Sequence, residues 1–146
     1  MRLEPSPSGP LHIGHAYVGS LNAYYCSRYN GKMIVRISDT NASNIYKPAY
    51  DMIEEDAKWL WGKDVKIYIQ SDRIPIYYEH ATKLIDKGYL YVCTCESEVF
   101  RNLINNKQAC PCRDLPLEEQ QKRWSHMLKG TYKEGEAVVR FKTDRK

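Results

Sequence analysis

Arg2-Leu3-Glu4-Pro5-Ser6-Pro7-Ser8-Gly9-Pro10-Leu11-His12-Ile13-Gly14-His15 is the stretch whose reading decides the fold. Arg2 and Leu3 start a short strand. The Pro/Ser/Gly run from Pro5 to Pro10 then makes a rigid loop, because proline removes backbone donors and restricts its neighbours. From Leu11 to Tyr29 there is no proline, and Ile13, Ala16, Tyr17, Leu21, Tyr24 and Tyr25 recur at helical spacing. Asn30-Gly31 predicts a left-handed helix stop. Lys32 to Ile37 reads as a buried strand. Strand, helix and strand in close succession are the βαβ unit of a parallel sheet, so the fold class is α/β.

The pattern continues outward. Asp39 to Lys47 is a polar loop, and Pro48 opens a helix that runs to about Trp61. Lys66–Gln70 is a third short strand. Ser71 or Asp72 caps a helix over Ile74 to Lys87, which Gly88 ends. Tyr89–Val92 is strand-like and enters a cysteine-rich stretch. A charged helix follows Pro116, from Leu117 to Leu128, and Ala137 to Lys142 alternates as a strand. A boundary is expected near Gly88, with an α/β unit over residues 1–88 and a smaller metal-bearing insertion over 89–146. A strand leading straight into the last residues predicts a domain cut before completion.

Composition bounds the function. The 146 residues are 42% hydrophobic and 27% charged, which suits a globular chain. No apolar run is long enough for a membrane span. The first residues lack the apolar core of a signal peptide, so the expected compartment is the cytoplasm, with no membrane partner. The 22 basic and 18 acidic residues leave +4, which is compatible with an RNA partner without requiring one. Twelve tyrosines can stack on bases, or simply fill a core with their hydroxyls wet.

The first chemical signal is the pair His12 and His15. The loop delivers both to a helix N-terminus, where free N–H groups and the helix dipole favour phosphate. Three residues apart, the two share a face. Gly14 leaves room for a nucleotide to approach the backbone. Such a pair can donate hydrogen bonds to a phosphoryl group as it becomes five-coordinate. Two surface histidines beside a cap, or a metal-binding pair, are the alternatives.

The second signal is Cys93, Cys95, Cys110 and Cys112, a CxC–x14–CxC arrangement. Paired cysteines at both ends of a loop can surround one ion, and four thiolates favour a closed, structural zinc site. Backbone N–H groups and Lys107 or Arg113 are expected to offset the excess negative charge. Disulfides and an iron–sulfur cluster are the competing readings, the former disfavoured in the cytoplasm. Cys26 lies within the first helix as a small core residue.

The opening stretch is similar to that of glutamyl- and glutaminyl-tRNA synthetases of class I, whose ATP-binding HIGH signature it resembles. Arg36-Ile37-Ser38-Asp39-Thr40-Asn41 resembles the end of that family's second conserved strand. Gln70-Ser71-Asp72-Arg73, with Tyr77-Tyr78, resembles a third segment. Cys93-Thr94-Cys95 and Cys110-Pro111-Cys112-Arg113-Asp114 resemble its zinc motif in an archaeal-like form. The four matches are collinear and span nearly the whole chain. The resemblance implies the first half of a Rossmann-like nucleotide-binding domain, followed by a zinc-containing insertion beside the tRNA acceptor end.

It also implies a reaction: ATP-dependent attachment of glutamate to tRNA(Glu) through an aminoacyl-adenylate, with Mg accompanying ATP and zinc structural. Glutamine and tRNA(Gln) are the alternative substrates. His12 and His15 would be the catalytic pair, and Pro7, Gly9, His12, Gly14 and His15 would contact ATP. Arg2, Glu4, Ser6 and Ser38 would line the amino-acid pocket, where a guanidinium can hold a carboxylate bidentately.

Two positions depart from the family pattern. Ser38 stands where the family usually has an acid, and Glu4 where it has Ala or Pro. One expectation is that Glu4 supplies the charge missing at Ser38; the other is a surface Glu4. Asp39 is alternatively structural, bonding the turn that follows it. A KMSKS-type lysine loop is absent from these residues, so the segment alone is expected to lack ligase activity. A short relative acting as an RNA- or partner-binding module is the other functional reading. A DNA-binding zinc protein fits poorly, since no recognition helix with histidine ligands follows the cysteines.

Overall fold

The computed structural model describes residues 1–143. The chain divides into two compact units, Met1–Pro75 and a second beginning at Ile76.

In the first unit, β1 (Arg2–Leu3), β2 (Ile34–Ile37) and β3 (Lys66–Ile69) form a parallel sheet in the order β1-β2-β3. The helices α1 (Ile13–Arg28) and α2 (Ala49–Trp61) make the two crossovers. Alternation along the strands decides the core. Leu3, Val35 and Ile37 turn one way and are buried with Ala49, Ile53 and Ala57 of α2. Each fully buried aliphatic side chain stabilises by about 1.5–3 kcal/mol relative to exposure. Arg36, between Val35 and Ile37, points to the opposite face.

The helix α1 is where the apolar spacing misleads. Ile13, Tyr17, Leu21, Tyr24 and Tyr25 are all exposed, and the buried residues of α1 are Gly19 and Cys26. The helix docks through its small face. A Cβ on Gly19 would lie 2.0 Å from the Trp61 ring, and the Trp61 indole N–H donates to Ser20 Oγ at 3.1 Å. Close packing of an indole on a helix backbone has replaced the burial of the larger side chains. The helix then stops at Asn30, which takes φ 50°, so the asparagine rather than Gly31 is the left-handed residue.

The second unit holds α3 (Ile74–Asp86, entered at its start), β4 (Leu90–Cys93), α4 (Ser97–Asn105), α5 (Leu117–Leu128) and β5 (Val138–Phe141). Here β4 and β5 pair antiparallel, with Tyr91 opposite Arg140. Ile85, Leu90, Val92 and Trp124 form its core. The Trp124 indole N–H donates to Thr82 Oγ1 at 2.8 Å, and the Tyr78 ring meets the Trp124 ring edge-on. These contacts explain why the division falls after Pro75 and not near Gly88: α3 packs with β4 and α5. The cysteine loop also holds α4, where Val99, Phe100, Leu103 and Ile104 recur at helical spacing.

Candidate functional site

The loop between β1 and α1 lies at the carboxyl end of β1, the edge where open parallel sheets bind ligands. Pro5 and Pro7 are fully buried and anchor it. The Pro5 carbonyl accepts from Ser38 N–H, and the Pro7 carbonyl from Tyr46 N–H, both at 2.8 Å. The Leu11 N–H donates to Asp56 Oδ2 at 3.0 Å, so α2 holds the backbone just before the histidines. No sequence signal pointed to Asp56. Ser6 and Ser8 are exposed, and Gly9 has open space where a side chain would be.

His12 is the N-cap of α1. Its Nδ1 accepts from the Gly14 N–H at 3.1 Å, and the His12 N–H donates to His15 Nδ1 at 3.3 Å. Both rings therefore accept through Nδ1, which assigns the proton of each neutral imidazole to Nε2. The ring centroids are 3.9 Å apart. Burial, and then the neighbouring His12, hold the His15 pKa below the ordinary imidazole value. Gly14 has a local reason as well: a Cβ there would come within 2.9 Å of His12 Cε1. The outcome is a pair of imidazole N–H donors at a helix start, with open space beside Gly9 and the His12 ring filling the space beside Gly14.

Beyond the histidines, the ends of β2 and β3 are cross-linked. Asp39 accepts from Ser71 N–H at 2.9 Å, from Ser71 Oγ at 2.5 Å and from Tyr50 Oη at 3.0 Å. Burial pushes its carboxyl up, but these hydrogen bonds outweigh it and hold the pKa below the usual value. Asp39 is thus structural, and it joins the turn after β3 instead of its own following turn. Ser38 Oγ donates to Gln70 Oε1 at 2.9 Å.

Glu4 is not a free charge. Its carboxylate pairs with Arg2 Nε and with Arg36 Nη2, the latter at 3.0 Å. The register β1–β2 puts Glu4 beside Arg36 on one face. Two guanidiniums against one carboxylate leave a net positive charge there. Arg36 Nε is buried with no hydrogen-bond partner among the described residues. Arg36 and Gln70 were visible in the sequence only as parts of motifs, without roles.

In the second unit the four cysteine sulfurs converge. All four lie within 4.8 Å of one another. Neighbouring sulfurs are separated by 3.4 Å (Cys93–Cys110), 3.6 Å (Cys95–Cys110) and 3.8 Å (Cys95–Cys112). A tetrahedral ion with metal–sulfur bonds of about 2.3 Å needs sulfur–sulfur edges of about 3.8 Å. The donor set and its size therefore fit a metal, and all five cysteines are free of disulfides. Burial pushes the Cys95 and Cys110 thiols up. Burial also acts on Cys112, but the Thr94 backbone N–H and Arg123 bring it down to about 7.

The charge offset comes from an unexpected place. Arg123 of α5 donates from Nη1 to Cys112 Sγ at 3.4 Å and to Thr94 Oγ1 at 3.2 Å, and pairs with Glu119 at 2.8 Å. Among the described residues, neither Lys107 nor Arg113 hydrogen-bonds the sulfurs. Gln120, 2% exposed, accepts from Val92 N–H at 2.8 Å and donates to the Cys112 carbonyl at 2.6 Å. It ties α5 to β4 and to the second cysteine pair. Helical spacing places Arg123 and Gln120 three apart, but only the tertiary fold aims them at the cysteines.

Residues 1–146 match the family described as tRNA synthetases class I (E and Q), catalytic domain. The chain belongs to this family. It is 50% identical over 144 residues to a glutamate–tRNA ligase of Methanoregula boonei, covering 99% of this chain and 23% of that one. It is 48% identical over the same length to a glutamate–tRNA ligase of Methanocaldococcus jannaschii, covering 99% of this chain and 26% of the relative. The solved glutamate–tRNA ligase of Elizabethkingia meningosepticum superimposes with a TM-score of 0.67 at 24% identity, over 98% of this chain and 32% of the other. That likeness shows the shared fold. The chain spans about a quarter of the length of the curated relatives it matches. Among the described residues, no helix is long and apolar enough to cross a membrane.

Proposed function

We propose that this chain is the ATP-binding part of a glutamate–tRNA ligase, an enzyme that joins glutamate to tRNA(Glu) through an aminoacyl-adenylate in the cytoplasm. The observation that carries the proposal is the reciprocal cap of His12 and His15 at the start of α1. Both imidazoles accept through Nδ1, which leaves each Nε2–H to serve as a donor. Fixed donors stabilise charge that develops on a phosphoryl oxygen, without the reorganisation water would need. The positive end of the α1 dipole adds potential of the same polarity. Gly9 lets ATP, accompanied by Mg, approach the backbone, Gly14 makes room for the His12 ring, and buried Pro7 holds the loop.

The amino-acid side of the pocket is assigned to Arg2, Glu4, Ser6 and Ser38. Glu4 orders Arg2 and Arg36, and the net positive charge suits a substrate carboxylate. Ser38, bonded to Gln70, adds polarity without charge. Glutamate is favoured by its relatives' names, and glutamine with tRNA(Gln) is the competing substrate. Zinc is the metal assigned to Cys93, Cys95, Cys110 and Cys112. Four thiolates leave no open coordination position, so it would hold the loop together and take no part in the reaction.

The test is ATP–pyrophosphate exchange by the intact protein, with glutamate or glutamine, and with tRNA present. Exchange dependent on glutamate is expected. Exchange with glutamine alone would reassign the substrate, and none with either would overturn the proposal. The competing reading, an RNA-binding module without catalysis, predicts tRNA binding with no exchange.

A further inference from the structure

Arg123 lies on α5, four residues after Glu119, and its side chain is only 20% exposed. Its Nε pairs with Glu119 Oε1 at 2.8 Å. That contact fixes the plane of the guanidinium, so the remaining nitrogens are aimed. Nη1 reaches Thr94 Oγ1 at 3.2 Å and Cys112 Sγ at 3.4 Å. Thr94 stands between Cys93 and Cys95, while Cys112 belongs to the other cysteine pair. One cation therefore spans both halves of the four-sulfur set.

The helix that carries Arg123 is anchored at the same two places. Gln120, three residues earlier and on the same face, accepts from Val92 N–H and donates to the Cys112 carbonyl. Val92 leads directly into Cys93. Thus α5 meets the cysteines with an amide that holds backbone and a guanidinium that holds a sulfur.

The four sulfurs are not treated alike. Thr94 Oγ1 lies 3.8 Å from Cys112 Sγ. A metal-bound thiolate carries no proton, so the hydroxyl is the donor in that state. Cys112 then receives an O–H and a charged N–H. Among the described residues, none of the other three sulfurs of the set is hydrogen-bonded by a charged side chain. Four thiolates around a divalent ion leave a surplus of negative charge, which a guanidinium beside one sulfur reduces. Hydrogen bonds also fix the direction of a ligand, and partners of this kind commonly carry about 10- to 100-fold of a site's metal affinity.

We propose that Arg123 is a positioning residue of the metal centre: it locks Cys112 to Thr94 of the opposite cysteine pair and so sets how tightly the metal is held. The inference rests on the reading of the four cysteines as a zinc site, and on nothing in the ligase reaction.

The experiment measures the zinc affinity of the intact protein by competition with a chromophoric chelator. The cobalt(II) form reports on the sulfurs through its thiolate-to-metal charge-transfer band. Arg123→Met should weaken zinc binding about tenfold or more and move the cobalt band to longer wavelength, because a thiolate without its donor gives up charge more readily. Arg123→Lys keeps the charge without the fork and should recover part of the affinity. Thr94→Val should cost less than Arg123→Met, and the double variant less than the product of the two losses, since both groups act through one sulfur. Lys122→Met changes an exposed cation on the same helix and should leave both readouts as they are.

Zinc affinity of Arg123→Met within about twofold of wild type, with the cobalt band unmoved, would overturn the proposal. So would an equal loss in Lys122→Met, which would make the effect one of general charge. If Arg123→Met does not fold, Arg123→Lys and Thr94→Val carry the comparison, and an unmoved cobalt band in both overturns the role. A wild-type protein that takes up no metal would overturn the zinc reading as well, whereas equal retention by wild type and variants overturns the role of Arg123 alone.

Discussion

The His12 N–H donates to Nδ1 of His15, so one histidine's backbone fixes the other's ring. The ring centroids stand 3.9 Å apart as a result. Protonating His15 would place a proton on the nitrogen that accepts this bond. His15 is therefore held toward its neutral form.

An NMR titration should find the His15 midpoint below about 6.5, the ordinary imidazole value. The folded pKa is lowered, so the unfolded chain takes up a proton first as pH falls. The stabilisation is fully present above about pH 6.5 and is lost as pH drops through the folded pKa. His12→Asn removes the neighbouring imidazole and should raise the midpoint part of the way, because burial remains. A midpoint at or above the ordinary value would contradict the reciprocal cap.

Glu4→Ala should raise the amino-acid KM of the intact protein about fivefold to tenfold and leave the ATP KM unchanged, because Arg2 loses its orienting partner. If Glu4 acts by holding the two arginines, Arg36→Ala should reproduce most of that rise, and the double variant should add little. If Glu4 instead receives the substrate ammonium, Arg36→Ala will leave the amino-acid KM unchanged.

Gln120→Leu leaves the Val92 N–H and the Cys112 carbonyl without their partner in a buried place. Urea unfolding of the variant should show a loss of about 2–4 kcal/mol. The damage should spread to the cysteine loop, which hydrogen exchange can localise. Unchanged protection near Cys112 would mean that α5 does not brace the metal loop.

A strong chelator should release about one metal ion per chain and raise exchange over residues 89–115, with little change in the β1–β3 sheet. Zinc measured by elemental analysis checks the metal's identity. A metal-free protein with undiminished thermal stability would sink the assignment.

Gly19→Ala forces a methyl group against the Trp61 ring, where the ideal contact would be 2.0 Å. Thermal unfolding should show a loss of about 1–3 kcal/mol through displacement of α1 or the indole. A neutral outcome would mean that α1 docks less closely than described.

Much of the fold was legible as periodicity. Val35 and Ile37 alternate with Arg36, and the glycines and prolines mark element ends, so the order of strands and helices follows from local preference. The four cysteines were legible from spacing, and the His12/His15 pair from its place after a proline-rich loop. The face of α1 was not legible: its tyrosines have helical spacing, yet Gly19 makes the contact. Side-chain pattern reports what can be buried, while backbone approach decides what is.

The sequence by itself determined the βαβ order, the histidines at a helix start and the four-sulfur donor set, because each depends on neighbours close along the chain. Only the tertiary structure decided the partners drawn from distant elements. It set Glu4 between Arg2 and Arg36, tied Asp39 to Ser71, and brought Arg123 rather than Lys107 or Arg113 to Cys112. A charge seeks whichever opposite group the packing brings near, and packing is fixed by the whole core. For the same reason the opening histidines can be recognised in one dimension, but the direction of their donors cannot.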